Sequence, residues 1–324
     1  MAVSTRPDGF RATHVLAAAA AVLAATFMIY SPALNGPFVF DDRYLPFMQP
    51  DTANAPFRAW IGFRPLLMFT YWVNYKTSGL EPFSYHAVSV ILHALNSVLM
   101  FFVIRGLLER AGESGARREW LAAIAAVIFL AHPVQTESVA YVASRSEVLS
   151  VLFVLSAFSL FLYARSPGLG LVRALAVLAL LGAAIATKEH AMAVPAVLLV
   201  TDLFWRGMEG VRRNWRLYAL LGVAVAAGAA AVLHILRTSP VIGFRLQDLS
   251  WHQYLFSQFR VVWMYLRLYV LPVGLNVDYD VPVARTILDH GAVFGLAGLM
   301  GALACAWVLR RQYPLAAYGF LVFV

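Results

Sequence analysis

The sequence predicts an all-α polytopic membrane protein, and three observations carry the prediction: composition, recurring apolar runs, and the sidedness of the charges. Of the 324 residues, 61% are hydrophobic and only 13% charged, with a mean hydropathy of +0.72. A soluble domain carries about a quarter charged residues, and no soluble core could hide this much apolar surface. Crossing the hydrocarbon takes roughly 20 helical residues, and lipid satisfies no backbone polar group, so the apolar runs read as helices. Fourteen of the 25 Lys and Arg fall in short loops on one side: Arg6, Arg11, Arg105, Arg110, Arg117, Arg118, Arg165, Arg173, Arg206, Arg212, Arg213, Arg216, Arg310 and Arg311. The positive-inside rule places these loops and the amino terminus in the cytoplasm. Most of the acidic residues fall on the other side, apart from Asp8, Glu109, Glu113, Glu119 and Glu209, with Asp202 near a helix end. The net charge of +8 is therefore a topology signal and not evidence for nucleic acid, which is not expected as a partner.

In chain order, residues 13–33 form the first span, read as an uncleaved anchor because the apolar run is long and no small-residue cleavage pattern follows. Residues 34–85 form a long outer loop, whose Phe57-Arg-Ala-Trp60 and Phe63-to-Trp72 stretches mix aromatics with Arg58 and Arg64, as interfacial helices do. A helix bundle follows over 86–236, with spans at 86–108, 120–132, 147–164, 171–187, 191–205 and 216–236. The run from Leu121 to Ala131 is short; it either continues through Val139–Val142 or, the favoured reading, ends below the outer surface. A second outer loop covers 237–290 and contains an apolar stretch at 253–272 with Arg260 and Arg267 on nearly one face. An interfacial or re-entrant helix fits this stretch, because both its ends must lie outside if Arg310 and Arg311 are to lie inside. Terminal spans occupy 291–324, beginning with 291–309, and the run to Val324 has not reached a polar end, so the sequence reads as part of a longer protein. The whole, 1–324, reads as a single transmembrane domain. Its one cysteine, Cys305, lies in an apolar run and is expected to be a packing residue.

Chemistry is expected where ionisable groups meet these apolar segments. Asp41 and Asp42 follow the first span directly, where two adjacent carboxylates are poorly hydrated and repel each other, so one can carry a raised pKa. Their alternative is a solvated loop start. In His132-Pro-Val-Gln-Thr-Glu137 and beyond, Glu137, Tyr141 and Arg145 recur every four residues and would share a face if helical. They could equally pair with neighbours to hold the bundle. Lys188-Glu189-His190 interrupts an apolar stretch from Ala174 to Val200, which is costly unless these groups meet water, partners or a ligand. A cation there, with Arg145 or Arg64, could bind a lipid phosphate. Asp278-Tyr-Asp280 has the spacing of a metal pair but no neighbouring ligand, and His86 and His93, seven apart, should face the bundle; His14, His234, His252 and His290 show no ligand spacing. No phosphate loop, zinc motif or nucleophile elbow occurs.

Phe38-Val-Phe-Asp-Asp42, Phe63-Arg-Pro-Leu66, Asn74-Tyr with Gly79-Leu-Glu-Pro-Phe83 and His86, Ala131-to-Val139, Arg145-Ser-Glu147 and Lys188-Glu189, taken in order, resemble the transmembrane and tetratricopeptide-repeat O-mannosyltransferases. The resemblance covers roughly residues 13–280; the helical repeats of that family are absent. It implies a GT-C-like bundle of about 8–9 transmembrane helices and transfer of a sugar, mannose, from a polyprenyl-phosphate carrier to a hydroxyl of a protein or other acceptor outside the cytoplasm. The family's acidic pair falls on Asp41 and Asp42, one acting as base. Arg64, Arg145 and Lys188 would hold the donor phosphate, supported by His86, His132, Glu137, Glu147 and Glu189. The resemblance leaves cofactors unknown, with a divalent metal possible but not required. The Ala-rich spans suggest a bacterial inner membrane, with the site facing the periplasm. A lipid or sugar transporter, or a non-catalytic anchor for a repeat scaffold, are the competing readings; a transporter would place its charges near mid-membrane.

Overall fold

The computed structural model describes residues 12–62, 64–164, 168–238 and 250–324, and leaves aside the side chains of 12–16 and 229–238. Asp8, Arg6, Arg11, Phe63, Arg165 and residues 239–249 of the second loop lie outside the described residues, as do the side chains of His14 and His234. Among the described residues the chain is all-helical, with no β-strand. The chain groups into two compact units, one comprising Met1–Glu109, Glu113–Tyr163 and Ala179–Met192, the other Arg110–Gly112, Ala164–Leu178 and Ala193–Val324.

The first unit begins with α1, Ala12–Tyr30, which Pro32 ends. Short 3₁₀ turns and the small helix α2, Pro50–Ala53, lead to α3, Pro65–Ser78, and α4, Pro82–Arg110. Proline opens α2, α3 and α4, where its missing N–H costs nothing. α5, Gly115–Ala131, stops at His132 because Pro133 forces the preceding residue out of the helical region. The short α6, Thr136–Ala140, then leaves at a bend of 49° measured across the break. α7, Arg145–Leu162, and the later part of α8, Leu171–Ile185, complete the unit.

Its core departs from the expected interfacial placement of the loop aromatics. Phe47, Trp60, Leu67, Tyr71, Tyr85 and Val142 form one buried cluster, so loop residues 34–85 make their own core where α3, α4 and the start of α7 approach. Phe69, by contrast, remains exposed. A second cluster joins Tyr30, Leu34, Val90, Val139 and Val148. His86 and His93 are buried, as their spacing predicts, each with Nε2 at a backbone carbonyl: Gly36 at 3.2 Å and Leu130 at 3.1 Å.

The second unit contains α9, Val194–Arg206, α10, Met208–Arg213, α11, Trp215–Thr238, α12, Trp251–Val270, α13, Ala292–Leu309, and α14, Pro314–Phe323. Where α12 meets α13, the Phe259 carbonyl stands where a side chain on Gly295 would go, and Trp263 Nε1 donates to the Gly295 carbonyl at 2.9 Å. Small residues allow this close backbone approach without a side chain between the helices. Cys305 corrects an expectation: it is exposed on α13, because that helix packs through other residues.

By length and composition, three helical segments among the described residues suffice to cross a membrane: Pro82–Arg110, Arg145–Leu162 and Asp289–Leu309. A fourth is added if the bent pair at His132 is one span. Shorter apolar helices at Ala17–Ala33, Leu171–Ile185, Trp215–Gly228 and Pro314–Phe323 accompany them. α12, with Arg260 and Arg267 in its 20 residues, is not among the three.

Candidate functional site

The Asp41–Asp42 pair sits in a 3₁₀ turn, Phe40–Tyr44, and the turn gives its two carboxylates different surroundings. Asp42 is only 1% exposed. Its Oδ2 accepts the Val39 N–H at 3.0 Å and its Oδ1 accepts the Ala143 N–H at 2.7 Å. Asp42 thereby clips the first loop to the turn that precedes α7. Burial pushes its carboxyl up from the ordinary value, against the pull of those two amides and of His86. Asp41 is exposed, and its backbone N–H donates to the Tyr141 hydroxyl at 2.7 Å. Phe40, immediately before it, has φ +46, a left-handed conformation that is strained for a bulky residue. The Phe40 ring meets Tyr141 edge-on at 6.2 Å, so one tyrosine braces the carboxylate-bearing turn through both backbone and ring.

Arg145 lies beneath this turn with no exposed surface. Its guanidinium faces the Tyr71 ring at 4.5 Å and the Tyr85 ring at 5.6 Å. Nη2 donates to the Tyr85 carbonyl at 2.9 Å and Nη1 to Thr70 Oγ1 at 3.3 Å. This is a buried post, and it leaves no surface for the donor phosphate that the motif resemblance assigned to Arg145. The expected common face of Glu137, Tyr141 and Arg145 is also corrected. α6 ends at Ala140, Tyr141 is extended at φ −91 and ψ 121, and Arg145 opens a new helix, so Glu137 stays exposed on α6 while Arg145 turns inward. His132 Nδ1 accepts the Val134 N–H at 3.2 Å and caps the turn after α5.

The remaining charges form a ladder. Arg64, at the start of α3, grips Glu189 with one edge of its guanidinium, Nη2 donating to Oε1 at 2.7 Å and Nε to Oε2 at 3.1 Å. Lys188 pairs with Glu147 in the first turn of α7, and His190 Nδ1 stands 3.7 Å from the other Glu147 oxygen. The turn 188–190 is thus tied to two helix starts at once, and Arg64 holds the Glu189 carboxyl below its ordinary range. Arg64, Lys188, Glu147 and Glu189 are all partly exposed, where ion pairs are weak and exchangeable.

Sequence reasoning missed Tyr71, which joins the parts. Its buried hydroxyl donates to the Val142 carbonyl at 2.7 Å. Burial raises its pKa, opposed by Arg145, whose guanidinium lies 4.5 Å from the ring. The available signal was the four-residue step from Leu67 to Tyr71 on α3, two residues that prove buried on one face. Among the described residues no three His, Cys, Asp or Glu stand close enough to hold a metal ion, and Asp278 and Asp280 lie exposed.

Fold and site together define a multi-pass helical membrane protein whose first loop holds an exposed carboxylate above a buried arginine, beside a ladder of exchangeable cations. The curated proteins it is similar to are protein O-mannosyl-transferases, the family that its motifs resemble, and the similarity lies in the membrane portion. Protein O-mannosyl-transferase TMTC3 of Mus musculus is 34% identical over 44% of this chain and 15% of its own length. Protein O-mannosyl-transferase TMTC1 of Homo sapiens is 34% identical over 58% of this chain and 24% of its own. Protein O-mannosyl-transferase F38B6.6 of Caenorhabditis elegans is 22% identical over 93% of this chain and 42% of its own. The chain therefore spans less than half the length of these relatives. No family model and no solved structure matches it.

Proposed function

We propose that the chain is a membrane glycosyltransferase of GT-C type that moves mannose from a polyprenyl-phosphate carrier to an acceptor hydroxyl on the extracytoplasmic side. The observation that carries this reading is the division of labour at the acidic pair: Asp41 exposed on a braced, strained turn, Asp42 buried and fully occupied by backbone amides. Asp41 takes the acceptor hydroxyl's proton as that oxygen attacks the anomeric carbon, a general-base role that needs an accessible carboxylate. The bond from the anomeric carbon to the phosphate oxygen breaks, and its electron pair leaves with the carrier phosphate. Arg64 and Lys188 exchange Glu189 and Glu147 for that phosphate and stabilise its growing charge, which preorganised cations do well. Asp42, Tyr71, Tyr141 and Arg145 position the turn, with His86, His132 and Glu137 as supporting neighbours. The relatives' printed names support the mannosyl group and a protein acceptor.

Membranes carrying the chain, supplied with labelled synthetic polyprenyl-phosphate mannose and endogenous acceptors, should transfer label. Asp41→Asn should lower turnover by about 10²–10⁴-fold, the usual worth of a general base, while the protein stays folded. Full transfer by the variant would remove Asp41 from the mechanism; absence of transfer by the parent chain would favour a transporter or an anchor.

A further inference from the structure

The join between α9 and α11 presents a second surface, independent of the proposed reaction. α9 ends at Arg206, Gly207 turns the chain at φ +60, and α10 runs only from Met208 to Arg213 before α11 begins at Trp215. The inner side of this join is locked. Asp202, 3% exposed on α9, accepts Asn214 Nδ2 at 2.7 Å and the Tyr218 hydroxyl at 2.8 Å through one oxygen. Asn214 in turn accepts the Leu169 N–H at 3.0 Å. Gly210 lies so close to α9 that an added Cβ would meet the Asp202 Cβ at 3.0 Å. A buried carboxylate with two neutral donors is costly to keep unless it fixes something, and here it fixes which way α10 faces.

The outer side carries Arg206, Met208, Glu209, Arg212, Arg213, Trp215 and Arg216, all exposed. Arg213 is paired to Glu209 at 2.6 Å, but Arg206, Arg212 and Arg216 have no carboxylate partner among the described residues. Arg216 stands 5.7 Å from the exposed Trp215 ring. Trp215 opens an apolar helical stretch, Trp215–Gly228, and the ends of apolar helices in a membrane protein sit at headgroup depth. Three uncompensated guanidinium groups, a tryptophan and a methionine at that depth match an anionic lipid surface: phosphate oxygens for the guanidiniums, the acyl boundary for the ring.

We infer that the rigid α9–α10–α11 join is a binding surface for anionic phospholipid headgroups, held outward by Asp202, Asn214 and Tyr218. A soluble acidic protein is the other partner such a patch could take, but the exposed tryptophan at the head of the apolar stretch of α11 favours lipid.

The test uses Trp215 as its own reporter. The full chain is reconstituted in phosphatidylcholine bilayers containing brominated phosphatidylglycerol or brominated phosphatidylcholine, and Trp215 quenching is taken as the difference between the parent and Trp215→Phe. We expect quenching by the anionic lipid to exceed that by the zwitterionic lipid, with each arginine worth about a fivefold change in local enrichment, and the excess to shrink as salt rises. Replacing Arg206, Arg212 and Arg216 together by Gln should equalise the two lipids, whereas replacing them by Lys should keep the preference and show that the join still folds. Equal quenching in the parent, or a preference that survives the Gln variant, would overturn the inference. So would no quenching by either lipid, which would point to a covering protein.

Discussion

Asp42 accepts two backbone amides at 2.7 and 3.0 Å while almost wholly buried, so replacing it by Asn puts an NH₂ group against one of those N–H donors. Two donors then face each other, and the cost should be about 2 kcal/mol, the scale of a lost hydrogen bond to a charged group. Asp42→Asn should therefore melt below the parent protein, whereas Asp41→Asn, at an exposed carboxylate and with the backbone bond to Tyr141 kept, should not. The pH dependence has a definite sign. Burial raises the Asp42 pKa in the folded state, so its contribution to stability is fullest below the ordinary carboxylate value and declines as pH rises through the raised one. Melting curves across that acidic range should show this slope in the parent and lose it in Asp42→Asn. At this scale the sequence marked the acidic pair by its position after the first span but gave both carboxylates equal standing. Their difference depends on an amide at Ala143, a hundred residues away, which no local pattern encodes.

The helices followed the apolar runs closely, because a membrane helix needs length and apolarity and both are written in composition. What composition could not distinguish was an aromatic at the bilayer interface from one in a core, since both favour large rings. α3 is the instructive case: Tyr71 is buried and Phe69, two residues away, is exposed. Nor did four-residue spacing foresee that Pro133 and the extended Tyr141 break the stretch between α5 and α7 into three pieces. The turn between α6 and α7 hangs on Tyr71 from below and on Asp42 from the side. Tyr71→Phe keeps the ring facing Arg145 and removes the hydroxyl that donates to the Val142 carbonyl, with the Ala143 carbonyl a longer second acceptor. It should cost about 1 kcal/mol of stability yet lower turnover more than that loss of folded protein explains, because the turn that braces Asp41 loosens. Turnover per folded molecule, measured beside thermal unfolding, separates the two effects; equal turnover would make Tyr71 a packing residue only.

At the scale of the molecule, the reading requires the first loop to face away from the cytoplasm, as the distribution of arginines predicts. Gln49 lies in that loop and Ser114 in a basic connection, and both are exposed. In a Cys305→Ser background, a cysteine at position 49 should react with an impermeant thiol reagent added from the extracytoplasmic side, and one at 114 should not. The reverse pattern would put the acidic pair in the cytoplasm, where an extracytoplasmic donor head would not reach it. Everything in the account converges on one exposed carboxylate, so the most direct measurement is single-turnover mannose transfer from polyprenyl-phosphate mannose by Asp41→Asn beside the parent, at equal folded protein. A loss of about 10²–10⁴-fold with unchanged melting is the result expected of a general base. Transfer at the parental rate would contradict the assignment of the chemistry to Asp41.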